Sequence, residues 1–112
     1  MAENSTVDPK DVQDNKVMAI LAYLGILVLV PIFAAKESPF ARFHANQGIL
    51  LFIVSIVFYI IYYILLFTVP VIALIFSILS IGILILAIIG IINAAKGEMK
   101  ELPIIGKYSI LK

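Results

Sequence analysis

Between Phe43 and Ala95 the chain carries no Lys, Arg, Asp or Glu, and a second uncharged run extends from Val17 to Ala35. A water-soluble monomer of 112 residues cannot hide that much apolar surface, because small domains bury only a modest share of what their chains expose. Hydrophobic residues make up 63% of the sequence and charged ones 13%, where soluble domains run at about 45–50% and 25%. These figures exclude a soluble enzyme, a nucleic-acid binder and a disordered chain. A small integral membrane protein is left.

In lipid every backbone polar group must be satisfied within the protein, so only helices and closed barrels cross. Continuous apolar runs exclude a barrel, whose strands alternate. The expected fold is an all-α integral membrane protein: three transmembrane helices in a small bundle, with an interfacial C-terminal segment. Residues 1–15 read as a mobile polar N-terminal tail, and 16–112 as a single membrane domain. The helices are expected at about 17–35, 39–68 and 70–96. The first would span about 28 Å, close to the roughly 30 Å hydrocarbon core, with a kink or early exit at Pro31. Ser38-Pro39 is a start signal for the second, with Ser as N-cap and Pro at the first helical position. Thr68-Val69-Pro70 is the one plausible turn. The tail 98–112 is apolar but too short and broken to span; a fourth crossing is the alternative.

Three crossings put Lys10 and Lys16 on one face and Lys36, Arg42, Lys96, Lys100, Lys107 and Lys112 on the other. By the positive-inside rule the richer face is cytoplasmic. The expected location is the cell membrane, N-terminus outside and C-terminus inside.

Helices in lipid associate by close packing and a few hydrogen bonds. Residues 70–96 carry a 3-4 spaced stripe, mostly small: Ala73, Ser77, Ser80, Leu84, Ala87, Ile91 and Ala94. Residues 39–68 carry a matching one: Gly48, Phe52, Ser55, Tyr59, Tyr62 and Leu66. Folding at residue 69 sets Tyr59 opposite Ser80, Tyr62 opposite Ser77, Phe52 opposite Ala87, Gly48 opposite Ile91 and Leu66 opposite Ala73. The Tyr59 hydroxyl is expected to bond Ser80. Ala19, Ala22 and Gly25 offer a smaller face for docking the first helix.

No catalytic constellation exists, since Ser55, Ser77 and Ser80 lack a base. A single His44 cannot make a transition-metal site without nearby acidic or sulfur partners, and no cofactor is expected. Arg42, His44, Asn46 and Gln47 form a polar cluster where the second helix enters the membrane, and His44 could also sense protons. Lys96, Lys100 and Lys107 could contact anionic headgroups or serve as ordinary positive-inside anchors. Absence of cysteine removes disulfides and thiol chemistry. A net charge of +1 indicates no nucleic-acid partner. The expected partners are the lipid bilayer and a homo-oligomer or a larger membrane complex.

Met18-Ala19-Ile20-Leu21-Ala22-Tyr23-Leu24-Gly25, Phe43-His44-Ala45-Asn46-Gln47-Gly48, Gly90 with Asn93, and Leu102-Pro103-Ile104-Ile105-Gly106-Lys107 resemble small prokaryotic membrane proteins similar to the Tic-twenty component of the chloroplast import translocon. MamF-type magnetosome membrane proteins share the pattern. The likeness covers roughly residues 15–112, and His44 and Gln47 are its signature positions. It implies no assigned activity for most prokaryotic members, a part in protein translocation for the plant relatives, and crystal growth for the magnetosome members. Glu37 is the one acidic residue of the connector, which argues against an iron-templating surface there. The best reading is a non-enzymatic membrane scaffold or accessory subunit. A translocon- or channel-like component and a His-centred pH- or lipid-responsive regulator are the alternatives.

Overall fold

The computed structural model describes residues 8–111; Lys112 and the first seven residues of the expected mobile tail lie outside them. Helix α1 is Pro9–Leu21, a 3-10 turn covers Gly25–Val28, α2 is Leu29–Ala34, α3 is Pro39–Thr68 and α4 is Pro70–Ala95. Strands are absent among the described residues.

Two of these helices, not three, are long and apolar enough to cross a membrane: α3 and α4. At 1.5 Å per residue they are about 45 and 39 Å long. They pack side by side as a hairpin closed at Val69, with the Phe58 and Phe76 rings stacked at 5.3 Å.

The first apolar run is not one spanning helix. It breaks after Leu21, where the Tyr23 and Leu24 amides fall back on Ile20 and Leu21 and Gly25 turns at φ +63. The break lies here and not at Pro31, which sits in the first turn of α2, where its missing donor costs little. α1 begins at Pro9, capped by the Asp8 side chain on the Lys10 amide at 2.9 Å, so residues 9–14 are helical, and the helix kinks at Asn15 (φ −119, ψ 17). α1 therefore runs inward beside the first turns of α3, and the chain returns through α2 to Ser38. The expectation of an outside N-terminus with an inside C-terminus rested on three crossings, and only two helices have the length and composition to cross.

The core sits at one end of the hairpin. The buried residues of α3 all fall between Phe40 and Leu51, and those of α4 are Gly90, Asn93, Ala94 and the isolated Ala73. Gly48 is a contact point: a Cβ there would collide with the Ala22 carbonyl. The expected facing of Gly48 with Ile91 is thus replaced by α1, because only glycine lets the two backbones meet. The Tyr23 ring lies against Gly90. α4 ends in a Schellman motif, with Gly97 at φ +75 and the Glu98 amide on the Asn93 carbonyl at 2.9 Å. Beyond it the tail turns back, burying Met99 and Leu102 in the same core. Met99 and Leu102 are therefore core residues, whereas Ile104, Lys107, Tyr108 and Ile110 of the tail are exposed.

Candidate functional site

Consecutive turns at the start of α3 aim polar side chains at the tail. Ser38 caps the helix, accepting from the Ala41 amide at 3.0 Å. Asp11 adds a second cap from α1: one oxygen accepts from the Ser38 hydroxyl and from Asn15 Nδ2, the other from the Phe40 amide at 3.0 Å. A carboxylate at a helix N-terminus satisfies orphan donors and complements the helix dipole.

His44 is fully buried, with the ring edges of Tyr23, Phe40 and Phe43 around it. Its Nε2 lies 2.7 Å from the Glu98 carbonyl, which can only accept, so Nε2 carries a proton. Nδ1 lies 2.6 Å from the Tyr23 hydroxyl and is free to accept from it. The neutral ring is thereby satisfied at both nitrogens.

Asn46 donates to the Tyr108 carbonyl at 2.9 Å and accepts from the Ile110 and Leu111 amides at 2.6 and 2.9 Å. Gln47 accepts from the Leu102 amide at 2.8 Å and donates to the Gly106 carbonyl at 2.9 Å. Three side chains within four residues therefore hold the backbone of a tail more than fifty residues away. Their amides and carbonyls act as a substitute strand partner for a segment with no regular structure. Arg42, beside them, is half-buried.

The arrangement binds backbone. Among the described residues no group of three His, Cys, Asp or Glu is placed to hold a metal. Lys100 pairs with Glu98 at 2.9 Å, Lys107 lies over the Tyr108 ring at 5.4 Å, and Lys96 is exposed.

The stripe residues divide between two settings. Ser77 Oγ is 3.2 Å from the Tyr62 hydroxyl, and Ala73 is buried while Leu66 is exposed. Tyr59, Ser80, Ser55, Phe52, Ala87 and Gly48 share the lining of one cleft. Ser80 donates to the Ser77 carbonyl at 2.6 Å, and the expected bond between the Tyr59 and Ser80 hydroxyls is not made.

Asp11, Tyr23, Met99 and Leu102 were not among the expected site residues. Asp8-Pro9 repeats the cap-then-proline signal of Ser38-Pro39, and it would have set α1, and Asp11 with it, beside the membrane segments.

The model of the family described as the magnetosome magnetite crystal formation protein family matches residues 14–109. Magnetosome protein MamF of Magnetospirillum gryphiswaldense is 31% identical over 109 residues, 94% of each chain. Its namesake in Paramagnetospirillum magneticum is 32% identical over 95 residues, 84% of this chain and 81% of the relative. Magnetosome protein MmsF of the latter organism is 30% identical over 90 residues, 80% and 79% of the two chains. No solved structure matches. The magnetosome side of the sequence resemblance thus stands, and the Tic-twenty side finds no support in these matches.

Proposed function

The chain belongs to the magnetosome magnetite crystal formation protein family, and from that premise we propose that it is a non-enzymatic scaffold of magnetite-crystal formation, anchored by the α3–α4 hairpin. One observation carries the reading. Every charged residue among the described ones belongs to α1 or its Asp8 cap, the connector, the first turn of α3, or the chain after Ala95, all at the end where the core sits. The opposite end is the uncharged turn Thr68-Val69-Pro70. A one-sided polar head on a bare apolar hairpin is suited to presenting a fixed surface at a membrane. It offers nothing that would do chemistry.

The excess of basic residues in the head supports a cytoplasmic side for it under the positive-inside rule. Lys96, Lys100 and Lys107 then lie at the headgroups, where each can contribute about 1 kcal/mol of attraction to anionic lipid. The head and the small-residue faces of the hairpin are the surfaces for self-association or for docking on a larger membrane complex. The channel-like reading gains nothing from two helices packed against each other.

Expression in a magnetite-forming cell lacking its own relative tests the proposal. Restored crystal size and shape is the expected result. Unrestored crystals, with the chain present at normal level in the magnetosome membrane, would reject it. The chain lacks cysteine, so single cysteines at Asp14, Val69 and Ser109 read the topology with an impermeant maleimide. Positions 14 and 109 should label from one face and 69 from the other.

A further inference from the structure

Just below the head, the α3–α4 hairpin opens into a cleft of about 310 Å³, bordered by Tyr23 and Gly25 above and by Phe52, Tyr59, Ser80 and Ala87 along its walls. It exists because the first apolar run turns back at Gly25 and leaves the remainder of the groove uncovered. Its depth follows from the helix rise. Twenty residues back from Thr68 is about 30 Å, the hydrocarbon thickness, and reaches Gly48. Tyr59 is then close to the membrane midplane.

The Tyr59 hydroxyl makes no hydrogen bond among the described residues, and its ring meets those of Phe58 and Tyr62 edge-on. The hydroxyls of Ser55 and Ser80 donate to the Leu51 and Ser77 carbonyls, so they cannot also donate outward. Among the side chains lining the cleft, the Tyr59 hydroxyl is thus the donor left without an acceptor, at a depth where water does not supply one and an unmet polar group is costly. A saturated acyl chain would fill the space and leave that donor unmet. Phospholipid ester carbonyls lie at the interface, too shallow to reach it.

We propose that this cleft binds a lipid-soluble quinone or a similar ring ketone: a flat, apolar molecule whose carbonyl accepts from Tyr59. The volume falls at the lower end of the range for ligand pockets. The aromatic walls, Tyr23, Phe52 and Tyr59, suit a ring, and the lipid-facing side lets an apolar tail stay in the bilayer.

The chain has no tryptophan and five tyrosines, so tyrosine emission reads the binding directly. Decylubiquinone is titrated into the full chain in phosphatidylcholine vesicles, with helical circular dichroism as a control on folding. The expected result is saturable quenching, weakened about ten-fold by Tyr59→Phe and lost in Ala87→Leu, which fills the cleft, with hexadecane failing to compete. Quenching that rises linearly without saturation, or is equal in all three proteins, overturns the proposal. So does competition by hexadecane, which would make the occupant a plain hydrocarbon chain.

Discussion

The hydroxyl of Tyr23 lies 2.6 Å from Nδ1 of His44, joining the point where the first apolar run breaks to the first buried turns of the longest helix. The same ring packs on Gly90, so one side chain fastens the break after α1 to both α3 and α4. Its contact with a neutral, Nε2-protonated histidine makes the state of His44 a reporter on the head.

In nitrogen-15 spectra the sole histidine should therefore show the neutral Nε2–H tautomer at pH 7. Tyr23→Phe should lower stability by about 1–3 kcal/mol, since a buried acceptor loses its donor. Thermal melts in detergent measure the loss, and an unchanged melt would mean that the bond is not made.

Gly48 and Gly82 form a matched pair in the two spanning helices. Gly48→Ala must push the Ala22 carbonyl aside, and about 1–3 kcal/mol of destabilisation is expected for such overpacking. Gly82 has nothing within 4 Å of the added methyl. There alanine should be neutral or stabilising, by up to about 1 kcal/mol from helix propensity. Equal melting shifts in the two variants would contradict the packing of α1 on α3.

The tail grip is tested by proteolysis. Gln47→Ala leaves buried backbone groups of the tail unmatched, and Asn46→Ala leaves part-buried ones. Each should raise the rate of tryptic cleavage after Lys107 by roughly ten-fold or more, as about 1–3 kcal/mol of holding energy is lost. Ser109→Ala, whose hydroxyl only reaches the Leu111 carbonyl, should leave the rate unchanged.

Two carboxylates on α1 separate capping from plain charge. Asp11→Ala removes the second cap of α3 and should cost about 1–2 kcal/mol. Asp14→Ala, at an exposed position, should change stability by less than about 0.5 kcal/mol. Chemical denaturation followed by circular dichroism distinguishes them.

Chain order and solvent were legible from residues alone. Uncharged runs of membrane length demand helices, and proline after a capping serine marks where α3 starts. Hydropathy could not tell a run that spans from one that enters and returns. Val17–Ala35 has the right length and composition, yet its path was decided by Ala22 meeting Gly48 and Tyr23 meeting Gly90 and His44. Those are contacts between residues 21 to 67 positions apart, and a periodicity along one segment does not contain them. The polar group Arg42, His44, Asn46 and Gln47 was likewise visible as a cluster. That three of its members hold the tail follows only from the Schellman turn at Gly97, which sends the chain back across the face of α3. Sequence determined what must be in oil, because transfer free energy is a sum over residues. Tertiary structure decided which apolar run yields its place in the bilayer, because close packing and buried hydrogen bonds depend on pairs of groups meeting in space.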